Sequence, residues 1–285
     1  MRVKLSSKEI KSSVRAALAE DVGSGDVTSL STIPASAKFS VVMRAREPMV
    51  VAGITFAETA FRILSRKVRV KQLVRDGQAL KTGAAILQVS GSARAILSAE
   101  RVALNFIQRL SGVATLARYY VDEVRCTGAQ ILDTRKTTPG WRRFEKYAVA
   151  CGGGRNHRVG LFDMVLIKDN HLAALRDAKP NAVAAAVMRA RKKFPKLKIE
   201  AEADTLAQVK QAVDAGADII LLDNMSLSEL RRAVKLVGTR AKTEASGGVN
   251  LKTVRAIANT GVDFISVGAI THSARAVDVG LDFLD

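Results

Sequence analysis

The chain has few cysteines, and it contains no long uncharged apolar run. Its two cysteines, Cys126 and Cys151, are too few for a disulfide framework and lack the CxxC spacing of redox and zinc motifs. We therefore expect a reducing compartment, the cytoplasm. The first residues lack the apolar core of a secretory signal, and no run is long enough for a transmembrane helix. These features predict neither secretion nor membrane insertion.

Aromatic residues are also scarce, at 5% of the chain, whereas positive charge is abundant, with a formal net charge of +18. Such a field attracts anions, either nucleic acid or small phosphorylated molecules. Nucleic-acid surfaces that stack bases need aromatic residues among the basic ones, and the sequence shows no such interleaving. We favour a solvated basic surface and keep a nucleic-acid-binding protein as the alternative from another class.

From about Gln130 onward, short apolar runs alternate with helical stretches, which indicates parallel strands joined by crossovers. In a barrel the carboxyl ends of such strands converge on one mouth, and in an open sheet they spread along an edge. The polar, charged or glycine residues at the run ends favour convergence. Only six runs are evident, so we predict an incomplete (β/α) barrel. The predicted strands end at Asp133, Lys168, Glu202, Asp223, Ser246 and Gly268.

The first part of the chain, roughly residues 1–112, has another pattern. Strand-like pieces at 37–45, 68–74 and 85–90 are separated by glycine-containing turns, which predicts an α+β sandwich domain. Ile10, Val14 and Leu18 lie on one face of a predicted amphipathic first helix. A long helix is predicted from about Ser98 toward Val124. The fold class is therefore α/β, with an α+β sandwich domain before the barrel.

A cation-rich stretch around a triple glycine at 152–154 is the most informative segment. Arginine forks and free backbone N–H groups bind carboxylates and phosphates, so the segment predicts a polyanionic substrate. Arg135, Lys136 and Lys168 follow predicted strands, which favours a site over solvated cations. His157, next to Arg158, is expected to contact a ligand. For Arg142, Arg143 and Lys146, on a predicted helix, a solvated surface is favoured.

Carboxylates follow two of the later strands. Glu200 and Glu202 are two residues apart on a strand and so share a face. A sugar diol or hydrated magnesium would suit Glu202 and Asp223, while an ion pair with lysines is the alternative, and for Glu200 both readings stay open. The three histidines lack HxxH or HxH spacing, which disfavours a zinc site.

Two glycine-containing turns, Ser246-Gly247-Gly248 and Val267-Gly268-Ala269, follow consecutive predicted strands. Late glycine-rich loops of a barrel often bind phosphate. Ordinary tight turns are the alternative, but the corresponding positions of the two loops favour phosphate. His272 is close enough in sequence to touch the same phosphate.

Long ordered motifs resemble those of the quinolinate phosphoribosyltransferase family, also called carboxylating nicotinate-nucleotide pyrophosphorylases. The resemblance covers nearly the whole chain. Its motifs are EDVGSGDVTS (20–29), ERVALNFIQRLSGVAT (100–115), DTRKTTPG (133–140), EKYAVACGGGRNHR (145–158), KDNH (168–171), EAEADTL (200–206), LLDN (221–224), EASGGV (244–249) and SVGAITHS (266–273).

This resemblance implies a sandwich domain at 1–112, joined by the tail 277–285, and a barrel domain at 113–276. It implies transfer of phosphoribosyl from 5-phosphoribosyl-1-pyrophosphate to quinolinate with loss of carbon dioxide, which gives nicotinate mononucleotide for NAD biosynthesis. It also implies Mg²⁺ with the pyrophosphate substrate, no organic cofactor, and a homodimer in which Arg101 reaches the partner's site. No nucleic-acid or membrane partner is expected.

The resemblance also implies residue roles. Quinolinate would be held by Arg101 of the partner subunit and by Arg135, His157, Arg158 and Lys168. The pyrophosphate would be held by Lys136 with help from Lys168. Glu202 and Asp223 would hold the ribose hydroxyls and magnesium, directly or through water. The catalytic group is Lys136, Lys168, Glu202 and Asp223. The substrate-binding set is Arg101, Thr134, Arg135, Lys136, His157, Arg158, Lys168, Glu202, Asp223, Ser246, Gly247, Gly248, Val267, Gly268, Ala269 and His272.

A phosphoribosyltransferase of the same fold with another acceptor remains an alternative, either the molybdenum-transport-associated homologue or a nicotinate-specific enzyme. The number of cations in the motifs argues against a monocarboxylate acceptor.

Overall fold

A computed structural model describes residues 3–284. Its helices are α1 (Ser7–Val22), α2 (Val27–Thr32), α3 (Ile54–Leu64), α4 (Ala93–Glu123), α5 (Arg142–Cys151), α6 (Asp169–Ala173), α7 (Ala182–Lys193), α8 (Leu206–Asp214), α9 (Leu227–Val237), α10 (Val254–Ala258) and α11 (Ala269–His272). Its strands are β1 (Lys38–Ala45), β2 (Met49–Val50), β3 (Arg69–Gln72), β4 (Ala79–Leu80), β5 (Ala85–Ser92), β6 (Gln130–Leu132), β7 (Val165–Ile167), β8 (Ile199–Ala203), β9 (Ile219–Asp223), β10 (Lys242–Ser246), β11 (Phe264–Ser266) and β12 (Val279–Phe283).

The first of two structural units, the sheet unit, contains residues 3–118, Pro139–Gly153 and residues 273–284. Its main sheet is antiparallel, with the order β12-β1-β5-β3. Strand β12 pairs with β1 so that Val41 lies opposite Phe283. The carboxyl-terminal tail is therefore part of a sheet whose other strands come from the first third of the chain.

Helix α1 shows how the sequence specifies a local element. The hydroxyl of Ser6 accepts a hydrogen bond from the Glu9 N–H at 3.2 Å, and the Glu9 carboxylate accepts one from the Ser6 N–H at 2.9 Å. This reciprocal capping satisfies donors that the first turn of a helix leaves unpaired. Ile10, Val14 and Leu18 are buried, which confirms the predicted apolar face.

Helix α5 corrects one expectation. Lys146 is fully buried, so the predicted solvated surface is wrong for this residue. Glu145 beside it is also fully buried and pairs with Arg109, with 2.6 Å between carboxylate and guanidinium. Arg143 is exposed and pairs with Glu9. The helix lies in the range predicted for the barrel domain but belongs to the sheet unit, because its buried charges find partners there.

The second unit, the barrel unit, contains Tyr119–Thr138 and Gly154–His272. Its six strands are parallel and follow the order β6-β11-β10-β9-β8-β7. The predicted runs therefore form the strands of one sheet, which confirms the expected parallel architecture. Strand β8 is buried along its whole length, although two of its five residues are glutamates.

The connections of the barrel unit follow from short sequence signals. Asn181, Thr205 and Ser226 each cap the helix that follows, accepting a hydrogen bond from the backbone N–H three residues later. Gly216 and Gly261 adopt φ of +79° and +92°, where glycine is the residue with least strain, and the chain then enters β9 and β11. In both turns the glycine is followed by an apolar residue and an aspartate.

The parallel sheet of the barrel unit is not closed by strand pairing. Within residues 3–284, β6 pairs with β11 at one edge of the order and β7 pairs with β8 at the other. A single bridge joins Leu132 of β6 to Arg155, where the Arg155 N–H donates to the Ile131 carbonyl at 2.9 Å. The segment after the triple glycine therefore covers the free edge of β6, as an incomplete barrel requires.

Cys126 and Cys151 are not joined in a disulfide; Cys126 is exposed and Cys151 is half-buried. Among the residues that the structure describes, none of the helices combines the length and apolar character needed to span a bilayer. The cytoplasmic location that the cysteine content suggests stays a prediction.

Candidate active site

The carboxyl ends of all six parallel strands meet at one cavity of about 880 Å³ in the barrel unit. An open sheet would spread these ends along an edge, so the shared cavity indicates that the strands form a barrel. Fifteen residues named from the sequence line it: Thr134, Arg135, Lys136, His157, Arg158, Lys168, Glu202, Asp223, Ser246, Gly247, Gly248, Val267, Gly268, Ala269 and His272. Arg101 lies exposed on α4, in the sheet unit.

One side of the cavity carries closely spaced cations. Arg135 and Lys136 follow β6, and Arg158 belongs to the segment that covers the edge of β6. Burial and the positive charge of Arg135 lower the pKa of Arg158, and the negative charge of Glu200 opposes both effects. Two guanidinium groups that repel each other in a partly dehydrated place attract a ligand with two negative charges.

Lys168 extends this cationic side toward the carboxylates. Its Nζ lies 2.9 Å from Glu202 Oε2. The backbone N–H of Lys168 donates to Nδ1 of His171 at 2.9 Å, where the chain turns from β7 into α6. The KDNH sequence thus places a lysine at the strand end and supplies the acceptor that fixes its backbone.

Asp169, Glu202 and Asp223 line the same cavity and form an acidic cluster with the nearby Asp204. Burial raises the pKa of Asp204, and the negative charges of Glu202, Asp223 and Asp169 raise it further. The Asp169 N–H reaches Glu202 Oε1 at 3.4 Å. Carboxylates gathered this closely also favour a divalent cation, so the cluster fits Mg²⁺ as well as sugar hydroxyls.

Two loops complete the cavity with backbone groups. Gly247 adopts a φ of +95°, and a Cβ at this position would lie 2.1 Å from Oδ1 of Asn224. Asn224 itself has a φ of +52° and donates its N–H to the Ser246 carbonyl at 3.0 Å, which ties the ends of β9 and β10 together. At the next loop, Gly268 lies against the side chains of Lys136 and His272. Close backbone packing of this kind suits a phosphate group.

Beneath the cations lies a buried group of titratable side chains, here called the floor cluster: His157, Glu200 and Glu244. His157 Nε2 is 3.0 Å from Glu200 Oε2 and 3.6 Å from Glu244 Oε1. Burial raises the pKa of Glu200 to about 7 and that of Glu244 to about 8, and the charge of Glu200 further raises that of Glu244. The carboxyl pair therefore retains a proton near neutral pH.

Sequence reasoning missed several residues of this site. Glu244 was quoted within a motif but given no role, although it is two residues before Ser246 on β10 and so shares its face. The same spacing rule could have found Ser266 before Gly268. Asp169, Asp204 and Asn224 follow strand ends directly, the position that the barrel architecture uses for functional groups. Asp133, fully buried at the end of β6, was also missed.

A parallel barrel whose mouth combines arginines, an acidic cluster and glycine loops defines the class of enzymes that act on phosphorylated, anionic substrates. The family model described as Quinolinate phosphoribosyl transferase, C-terminal domain, matches residues 113–282, and the corresponding N-terminal domain model matches residues 26–111. The chain belongs to the quinolinate phosphoribosyltransferase family.

Individual relatives agree with this assignment. A carboxylating, chloroplastic nicotinate-nucleotide pyrophosphorylase of Arabidopsis thaliana is 42% identical over 96% of this chain and 82% of its own length. A probable carboxylating nicotinate-nucleotide pyrophosphorylase of Bacillus subtilis is 42% identical over 92% of this chain and 89% of its own. The solved structure of the nicotinate-nucleotide pyrophosphorylase from Francisella tularensis has a TM-score of 0.94 at 38% identity and covers 100% of this chain and 99% of its own.

Proposed function

We propose that the chain transfers the phosphoribosyl group of 5-phosphoribosyl-1-pyrophosphate to quinolinate and releases pyrophosphate and carbon dioxide, with nicotinate mononucleotide as the product. The observation that carries this proposal is one cavity lined by two arginines and two lysines, by three side chains of the acidic cluster and by two glycine loops. Membership of the family supports the same reaction.

The cationic side of the cavity binds the aromatic diacid. Quinolinate carries two adjacent carboxylates, and Arg135, Arg158 and Lys168 offer enough donors for both. Removing the two carboxylates from water costs free energy, which contacts with the cations offset. The lowered pKa of Arg158 indicates that this part of the cavity is already partly dehydrated. A monocarboxylate would leave the Arg135–Arg158 repulsion less completely offset, which favours a dicarboxylate acceptor.

The opposite side binds the activated sugar. Glu202 and Asp223 accept hydrogen bonds from the ribose hydroxyls and hold Mg²⁺, which neutralises charge on the pyrophosphate. The raised pKa of Asp204 supports a cation at this place, because the cluster concentrates negative charge. Lys136 faces the pyrophosphate, and the loops at Ser246–Gly248 and 267–269, with His272, bind the 5-phosphate.

In this arrangement the side chains bind, orient and stabilise charge. When the pyrophosphate departs, positive charge develops at the anomeric carbon, and the pyridine nitrogen forms the new bond to that carbon. The ring then carries a positive charge. It takes up the electron pair of the adjacent carbon–carboxylate bond as carbon dioxide leaves, and the ring carbon accepts a proton. No protein nucleophile is needed.

The proposal includes a homodimer with composite sites. Arg101 is exposed on α4 and does not line the cavity of its own barrel unit. Its place in the ERVALNFIQRLSGVAT motif assigns it to the partner's quinolinate site through the family resemblance. Arg101 is the second residue of this motif, and its side chain is exposed, as a contact with another subunit requires.

The reaction is tested by measuring carbon dioxide release and nicotinate mononucleotide formation with 5-phosphoribosyl-1-pyrophosphate, magnesium and either quinolinate or nicotinate. We expect turnover with quinolinate and little with nicotinate. Equal turnover of the two acceptors, or turnover of nicotinate alone, would contradict the proposed acceptor. Repeating the assay with a chelator should abolish turnover, and restoration by added Mg²⁺ would support the metal assignment.

A further inference from the structure

Both imidazole nitrogens of His157 are directed at the protein. Nδ1 accepts a hydrogen bond from the backbone N–H of Arg158 at 2.7 Å. A nitrogen that accepts carries no proton, so in this arrangement the ring is neutral and its proton is on Nε2. Nε2 lies 3.0 Å from Glu200 Oε2. The ring lines the cavity, but Nδ1 is used by the Arg158 N–H and Nε2 lies within 3.6 Å of the two buried carboxyl groups of Glu200 and Glu244.

The backbone around His157 is fixed from the other side by Asp133. This buried carboxylate accepts the His157 N–H at 2.9 Å and the Asn156 side-chain amide at 2.6 Å. Asp133 directly follows β6, so its hydrogen bonds attach residues 156–157 to the barrel sheet. With the Arg158 N–H bound to the imidazole, three successive residues are held by side chains of the barrel unit.

The floor cluster also supports the guanidinium of Arg158 electrostatically. Glu200 favours the charged form of Arg158, whereas burial and Arg135 disfavour it. Glu244, His157 and Arg158 line both the substrate cavity and a second cavity of about 260 Å³. These three side chains therefore form part of the boundary between the two cavities.

We propose that His157, Glu200 and Glu244 are positioning residues, which fix the backbone and guanidinium of Arg158 against the acceptor's carboxylate, and that His157 acts on the substrate through Arg158. This inference rests on the proposed function for the identity of the acceptor. It changes the role expected for His157 from the sequence, where direct contact with the ligand was predicted. The interactions of its ring nitrogens within the protein are the reason.

The first test is a double-mutant cycle on the full-length enzyme, with His157→Gln, Arg158→Lys and the double variant. If the histidine acts through the arginine, His157→Gln raises the KM for quinolinate by about tenfold alone but by less than about threefold in the Arg158→Lys background. The KM for 5-phosphoribosyl-1-pyrophosphate should change little in all three. Equal fold-changes in both backgrounds would show an independent contact and overturn the proposal.

The second test reads the imidazole directly in the wild-type enzyme and needs no turnover. Nitrogen-15 NMR distinguishes the two neutral tautomers from the charged ring, and the signal absent from His157→Gln identifies the residue; if that variant does not fold, His171→Gln and His272→Gln identify it by elimination. We expect a neutral ring with its proton on Nε2, unchanged when benzene-1,2-dicarboxylate, a diacid probe, saturates the site. A change of tautomer or charge on binding would show direct contact and refute the inference.

The outcomes separate this inference from the proposed function. Absence of turnover with quinolinate in the wild-type enzyme would refute the proposed function, while the NMR measurement would still test the tautomer. His157, Glu200 and Glu244 offer three ligand atoms that could together bind a metal. A third measurement is therefore the metal content of the purified enzyme. A stoichiometric metal in the purified enzyme that Glu244→Gln removes would overturn the positioning role, and its absence from the wild-type enzyme would support it.

Discussion

At the residue scale, the site depends on charges whose neighbours determine their state. Burial and the charge of Arg135 lower the pKa of Arg158, and the negative charge of Glu200 opposes part of this change. Glu200 in turn lies next to Glu244, which cannot ionise at the same time without a large cost. A carboxyl pair that retains one proton offsets only part of the positive charge of the two arginines before any substrate binds. The diacid then adds the negative charge that the upper part of the cavity needs.

Arg135→Ala should reduce kcat/KM for quinolinate by about two orders of magnitude, since it removes a preorganised charge contact in a partly dehydrated cavity. Steady-state kinetics with purified enzyme measures this. Arg176→Ala is a suitable control, because Arg176 belongs to the same unit and its side chain is 84% exposed. Near wild-type turnover of Arg135→Ala would contradict its assigned role.

Glu244 gives a prediction about pH. Burial raises its pKa from 4.5 to about 8, so between these values the folded protein holds a proton that the unfolded chain has released. The free energy of unfolding therefore falls as pH rises through this window. Glu244→Gln stays neutral, so its stability relative to wild type should increase from pH 5 to pH 8.

Urea unfolding at both pH values measures the change. Glu123→Gln, at an exposed residue, controls for the loss of one carboxyl. A constant stability difference between Glu244→Gln and wild type over this range would show that Glu244 is ionised in the folded protein throughout.

At the scale of elements, the residues of the site lie at the strand ends and in the loops that follow them, while the helices connect one strand to the next. The loop after β10 shows how closely one element approaches the next, because Gly247 packs against Asn224 at the end of β9. A loop tied in this way presents its backbone N–H groups in one fixed direction. That rigidity favours binding of a phosphate without rearrangement.

Gly247→Ala should destabilise the protein by about 1–3 kcal/mol more than Gly248→Ala, because only the first substitution places a Cβ against a neighbouring side chain. The two glycines form a matched pair. Both have positive φ, +95° and +60°, but the space around a Cβ at Gly248 is open to 4 Å. Thermal or urea unfolding compares them. Equal losses of stability would mean that Asn224 moves aside without cost.

At the scale of the whole molecule, the chain forms a sheet unit and a barrel unit, and their residues alternate along the sequence. The sheet unit takes its strands from both ends of the chain, since β12 pairs with β1. Helix α5 also belongs to the sheet unit, although it lies in sequence between the two ranges of the barrel unit. The carboxyl-terminal tail belongs to the sheet unit as well and follows the barrel unit in sequence. A cut at one position along the sequence would therefore not separate the two units cleanly.

The proposed homodimer makes a prediction about mixed subunits. Arg101→Ala and Lys136→Ala should each be nearly inactive alone, because each removes one part of every composite site. Dimers that contain one subunit of each kind should recover part of the wild-type activity, since one of their two sites is complete. Two affinity tags allow the mixed dimer to be purified and assayed. Verified mixed dimers without activity would argue against a site shared between subunits.

The sequence by itself determined the order of strands and helices in the barrel unit and the residues at the strand ends, because hydrophobic periodicity and glycine turns are local signals. It also indicated the chemistry, since cations, carboxylates and glycine loops follow those strands. The tertiary structure alone decided that six ends share one cavity and that Lys146 is buried. It also decided that His157 is engaged by Arg158 and lies against Glu200. These outcomes depend on contacts between residues far apart in the chain, or on the direction of a ring nitrogen, which no local pattern encodes.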